Sequence, residues 1–233
     1  MSRPTQVTPT GKAMWPKVFQ PEVSKKFPSK EHPEGAYSIQ LRLSEAEAAP
    51  LRSFLEKQMD AHRKTVGKIR MEKHLKKYPK QKEKYAKIDA YLAEHPVPEN
   101  DLPVNPVLDE MGEPTGEWEF KFNEWGNAYK RDGEGNIVKT YPNTIIIKDA
   151  KNRPFDKNNI GNGSLIRIAF VIFAYQAQNI GLKLIPVGIQ VIEHVEYASK
   201  KVDFDVTDGY ESDEEAVAEA ENMFTREEAD VPF

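Results

Sequence analysis

From residue 36 to 43 the chain alternates without a break, Tyr37, Ile39, Leu41 and Leu43 against Ser38, Gln40 and Arg42. That is the period-two pattern of a half-buried strand. The same signal predicts a short strand over 14–19, with Trp15, Lys17 and Phe19 on one face and Met14 and Val18 on the other. It returns over 117–123, where Trp118, Phe120 and Phe122 share a face, and in an Ile-rich strand over 144–148. Residues 164–176 predict a long strand with two unlike faces: Ile166, Ile168, Phe170 and Ile172 form a core side, and Arg167, Ala169, Val171, Phe173 and Tyr175 point the other way. A last strand is expected over 182–195. Residues 1–13 hold no period and are expected to form a flexible N-terminus.

Helical signals are confined to one region. Ser44-Glu45-Ala46-Glu47 has capping-box spacing, so a helix starts there and carries Leu51, Phe54, Leu55 and Met59 inward. Between 57 and 87 stand 12 Lys/Arg against three Asp/Glu, and Pro79 interrupts the helix. The segment near 44–92 is therefore a basic helical insert. Five prolines between 94 and 116 predict an extended linker, and Asp132-Gly133-Glu134-Gly135-Asn136 a hairpin tip. Five or six strands with one helix after the second suit a small closed barrel, mainly β with a helical insertion.

Charge divides the chain. From 203 to 233 there are 12 Asp/Glu and one Lys/Arg, so a formal net charge of −4 hides a body of +7 and a tail of −11. The expected organisation is a flexible 1–13, a single domain over 14–202, and a disordered acidic tail over 203–233. With no cysteine, disulfides, thiolate zinc sites and a Cys nucleophile are excluded. No apolar run approaches bilayer length, so a soluble intracellular protein without a membrane partner is expected.

A basic body with aromatics on strand faces suits single-stranded nucleic acid, which needs cations along phosphates and flat rings under bases. Glu119-Phe120-Lys121 has the Glu-x-Lys form of metal-dependent nucleases, but alternating charges on an exposed strand produce it freely. His194-Val195-Glu196 lacks the Cys pair of zinc deaminases, and Gly161-Asn162-Gly163-Ser164 precedes a strand where a phosphate loop precedes a helix. No nucleophile with a base and no ligand-spaced His cluster stands out. No catalytic residue, metal or cofactor is expected. The alternatives are a nuclease using Glu119-x-Lys121 and a partner-docking adaptor that does not bind DNA.

The ending, Asp230-Val231-Pro232-Phe233 behind acidic residues, resembles the tip of bacterial single-stranded-DNA-binding proteins. The order of strands, helix and tail, with Gly35-Ala36-Tyr37 at a strand entry, resembles the single-stranded-DNA-binding proteins of tailed bacteriophages. That resemblance implies an oligonucleotide/oligosaccharide-binding (OB) fold, a five-stranded Greek-key barrel. It further implies non-enzymatic coating of single strands in replication, recombination and repair in the cytoplasm of an infected bacterial host. Trp15, Phe19, Trp125, Tyr129, Phe173 and Tyr175 would offer stacking faces. Lys17, Lys25, Lys26, Arg42, Lys121, Lys130, Arg131, Lys148 and Arg167 would follow phosphates. Asp230, Val231, Pro232 and Phe233 would recruit replication and repair proteins while the tail competes with DNA; self-association is left open.

Overall fold

The computed structural model describes residues 4–24 and 28–196. Its strands are β1 (Gln6–Val7), β2 (Gly11–Glu22), β3 (Ala36–Ser44), β4 (Val104–Leu108), β5 (Pro114–Trp125), β6 (Asn127–Arg131), β7 (Ile137–Pro142), β8 (Ile146–Lys148), β9 (Leu165–Gln176) and β10 (Ile180–Glu193). The helices, α1 (Glu45–Lys77) and α2 (Ile88–Glu94), lie between β3 and β4.

The main sheet curls on itself in the order β2-β3-β5-β10-β9, and β9 returns to β2. Each neighbouring pair is antiparallel except β5 and β10. The ring closes through two narrow seams: Gly11 and Lys12 opposite Ile166 and Leu165, and Leu184 opposite Phe122. This is the five-stranded OB-type barrel expected from the sequence. Its interior is filled by the alternating residues already visible there. Ile39, Leu41 and Leu43 face Phe122, Phe120 and Trp118 across β3 and β5. Phe122 meets Phe170 edge to face at 5.4 Å.

Helix α1 begins with the predicted capping box: the Ser44 hydroxyl caps the Glu47 N–H and the Glu47 carboxylate returns to the Ser44 N–H. Ala48, Leu55 and Met59 enter the barrel core. The helix stops at Lys77, two residues before Pro79, whose ring cannot continue it. Among the described residues no helix is long and apolar enough to cross a membrane.

Three local expectations change. Residues 6–7 form β1 against β9, Thr8 is buried, and its hydroxyl accepts the Ile168 N–H at 3.0 Å. Structure thus begins within the stretch expected to be flexible. Strand β2 starts at Gly11, not Met14, and its phase slips: Ala13 and Val18 are both buried although five residues apart. The slip is a bulge at Trp15, whose φ is +50° and around which the pairing with β3 shifts register. Within the expected linker over 94–116, β4 pairs with β5. Pro106 is tolerated there because β4 is an edge strand. The Asp109 carboxylate closes the hairpin, accepting the N–H groups of Met111 and Glu113 at 2.9 Å each.

Candidate nucleic-acid interface

Because β5 and β10 share a single register pair, they separate beside it and leave a cleft of about 390 Å³. Alternation along β5 buries Phe120 and Phe122 and turns Lys121, Asn123 and Trp125 toward the cleft. Lys183 faces it from β10, between the buried Leu182 and Leu184. Tyr175, at the end of β9, completes the wall.

Each of these side chains is held in its own way. The Lys121 ammonium is exposed and has no carboxylate within ion-pair distance among the described residues. Lys183 is mostly covered; burial pulls its pKa below the usual lysine range, and Glu124 at 3.6 Å partly restores it. Its ammonium lies 5.5 Å from the centroid of the Trp125 ring. The Tyr175 ring covers Gly181, its hydroxyl accepts the Asn100 amide at 2.9 Å, and its carbonyl accepts His62 Nε2 at 2.9 Å. A column of rings continues from Trp125: His32 is stacked on it at 4.2 Å, and Tyr129 on His32 at 5.1 Å. Glu34 locks the column by accepting the Tyr129 hydroxyl at 2.7 Å, the Asn127 N–H at 3.0 Å and His32 Nδ1 at 3.2 Å. Burial pushes its carboxyl up, but these hydrogen bonds outweigh that and hold it below the ordinary glutamate value.

The structure therefore gathers Lys121, Trp125 and Tyr175 in one cleft and Tyr129 beside it. Phe173 is the register partner of Lys183 and is partly exposed. Lys130 is exposed on the β6–β7 hairpin, whereas Arg131 donates to the Gly135 carbonyl at 2.9 Å. Lys17 and Arg42 lie on the outer face of β2 and β3, each already paired, Lys17 with Glu22 and Arg42 with Glu119 at 3.2 Å. Trp15 is half exposed, and its backbone N–H donates to Asn162 Oδ1 at 2.7 Å. Phe19 stands 6.5 Å from Phe155, so these two β2 aromatics are not among the cleft-lining residues. Lys148 and Arg167 flank Gln190 from either side, six residues along β10 from Leu184, which is roughly 20 Å of strand. They are not part of the cleft. Lys25, Lys26 and the tail residues Asp230, Val231, Pro232 and Phe233 lie outside the described residues.

Sequence reasoning missed Lys183, Asn123, His32 and Glu34. The alternation Leu182-Lys183-Leu184 carried a signal for the first; His32 and Glu34 sit in an aperiodic loop and carried none. Of the nuclease motif, Glu119 is committed to Arg42. No group of three or more His, Cys, Asp or Glu placed to hold a metal ion occurs among the described residues.

No protein-family model and no curated protein matches the sequence. The folded chain is similar to gp2.5, a single-stranded DNA binding protein encoded by bacteriophage T7, with a TM-score of 0.53 and 17% identity over 91% of this chain and 100% of that one. At this identity the likeness establishes the architecture of the barrel. A weaker likeness, TM-score 0.48 and 10% identity over 85% of this chain and 87% of the other, is to the single-stranded DNA-binding protein from bacteriophage Enc34. The same protein in complex with ssDNA gives 0.48 and 9%, over 82% and 88%. The structural neighbours are thus bacteriophage single-stranded DNA-binding proteins.

Proposed function

We propose that the chain binds single-stranded DNA stoichiometrically, with little sequence preference, through the cleft between β5 and β10. The observation that carries this reading is the convergence of Lys121, Lys183, Trp125 and Tyr175 on one opening of an OB-type barrel. Cations and flat rings at that spacing meet the two needs of a single strand, phosphate neutralisation and base stacking. The β6–β7 hairpin, with Tyr129 and Lys130, extends the same wall, and Phe173 borders it. The outer cations Lys17, Arg42, Lys148 and Arg167, with Trp15 and Phe19, are proposed as secondary contacts along a longer path.

The role is protection of single strands during phage replication, recombination and repair in the cytoplasm of an infected bacterium, without catalysis. The acidic tail is proposed to compete with DNA and, through Asp230, Val231, Pro232 and Phe233, to recruit replication and repair proteins. Titrating a labelled single strand in EDTA, beside incubation with Mg²⁺, tests the reading. Tight metal-free binding with an intact strand is expected. Cleavage would revive Glu119 and Lys121 as a nuclease pair, and neither binding nor cleavage would leave an adaptor.

A further inference from the structure

The positive charge of the body is not on the barrel that holds the cleft. Residues 57–87 carry 12 Lys/Arg and three Asp/Glu, while the rest of residues 1–202 carries 20 Lys/Arg and 22 Asp/Glu. The second half of α1, with the turn after it, is therefore the cationic part of residues 1–202, and the remainder, α2 and the barrel included, is slightly acidic. A field of this kind is where a polyanion is captured.

The arm is also built to keep its rings inward and its lysines outward. Tyr85 and Tyr91 are buried, each 5.6 Å from the half-buried His74, and His95 closes the cluster 5.0 Å from His74. Gly67 lets α2 approach α1, since a Cβ there would come within 2.7 Å of Leu92. On the opposite face Lys68, Lys73, Lys76 and Lys77 are exposed, and none has a carboxylate within ion-pair distance among the described residues. Of the acidic groups nearby, Asp60 takes Arg63 and Lys64 and Glu94 takes Lys84, while Glu72 and Glu83 are exposed and leave the cations in large excess. Like charges three and four residues apart destabilise an isolated helix, so this face is suited to an external anion.

We propose that this face of α1 binds the phosphate backbone of duplex DNA, placing the protein at junctions where a single strand in the β5–β10 cleft continues into a duplex. The inference rests on the proposed single-strand function of the cleft. Two features favour a duplex over more of the single strand. The lysine face offers no ring for unpaired bases to stack on, the exposed Tyr78 lying past the end of α1 and near Lys77. From Lys68 to Lys77 the helix spans about 14 Å, close to the ~12 Å width of a major groove, so both bordering backbones are within reach.

The test uses the full chain and the quadruple variant Lys68→Gln, Lys73→Gln, Lys76→Gln and Lys77→Gln, which keeps good helix formers at exposed positions. Three DNAs are titrated over a salt series: a single strand, a blunt duplex, and a duplex with a single-stranded overhang of the same length as the first. The wild type is expected to bind the overhang substrate more tightly than the single strand. The variant should lose that advantage and its duplex binding, with a salt slope shallower by up to about 3.6 at 0.9 per phosphate contact, while single-strand affinity holds. Unchanged duplex and overhang binding, or an equal loss on the single strand, overturns the proposal. The duplex titration stands apart from the cleft: if the wild type fails on single strands yet binds duplex through these lysines, the cleft reading fails and the arm survives.

Discussion

The indole of Trp125 lies flat on the imidazole of His32, with ring centroids 4.2 Å apart and planes 2° from parallel. Tyr129 extends the stack beyond His32, and Lys183 approaches Trp125 at 5.5 Å. If the cleft takes a single strand as proposed, a base arriving at Trp125 would meet an oriented ring whose freedom was lost on folding. Trp125→Ala should therefore weaken single-strand binding by about 1–3 kcal/mol with little change in the thermal melt, because this residue is 37% exposed. Phe120→Ala, in the core at 0% exposure, should do the reverse and lower stability by about 3–5 kcal/mol. Equal stability losses in the two variants would invert the assignment of faces.

A glycine controls the other aromatic of the cleft. A Cβ on Gly181 would fall 2.2 Å from the Tyr175 hydroxyl. The obstruction is the far end of a side chain and not backbone, so the ring has to swing away while the strand stays in place. Gly181→Ala is expected to reduce single-strand affinity as far as Tyr175→Ala does, with β9–β10 pairing retained by circular dichroism. Wild-type affinity in Gly181→Ala would remove Tyr175 from the interface.

The two cleft lysines separate charge from stacking. Lys121→Gln and Lys183→Gln should each flatten the log–log salt dependence by about 0.7, the increment for one phosphate on a single strand. Trp125→Ala should shift the line without changing its slope. A lysine variant that lowers affinity equally at all salt concentrations would show that its role is packing.

The barrel was legible in the sequence wherever one face is buried and the other wet. The alternations Tyr37–Leu43 and Trp118–Phe122 turned out to be adjacent strands whose inward residues face each other in register. The capping box at Ser44 and the stop before Pro79 were equally plain, since each depends on contacts within a few residues. Two kinds of feature were hidden. The bulge at Trp15 shifts the period by one, so Ala13 and not Met14 is the buried residue before Val18. The cleft itself arises from the divergence of β5 and β10, strands about 60 residues apart, and no local pattern encodes it. That is why Lys121, Trp125 and Tyr175 could be named singly but not assembled, and why His32 and Glu34 were missed.

Glu34 gives the ring column a pH dependence. Its folded carboxyl has a depressed pKa, so its contribution is fully present above the ordinary glutamate value and is lost as pH falls through the lowered one. Glu34→Gln keeps the shape but not the charge. The difference in melting temperature between wild type and Glu34→Gln should be constant near neutrality and shrink on acidification below the usual carboxylate range. A gap that widens in acid would contradict the hydrogen bonds from Tyr129 and Asn127 as the source of the shift.

Two proposed functions of the acidic segment can be pulled apart by size of deletion. Removing residues 203–233 takes away a net −11 from a chain whose remaining charge is +7. If that segment competes with phosphates, single-strand affinity should rise, most at low salt where screening is weakest. Deleting Phe233 alone leaves the side-chain charge untouched but removes the terminal ring and moves the carboxylate, the pair a pocket would clamp in a short C-terminal peptide. DNA binding should then stay nearly constant while pull-down of host replication and repair proteins collapses. Should the long deletion leave low-salt affinity unaltered, competition is excluded; should the Phe233 deletion leave partner capture intact, recruitment through the terminal Phe is excluded, and each half stands or falls alone.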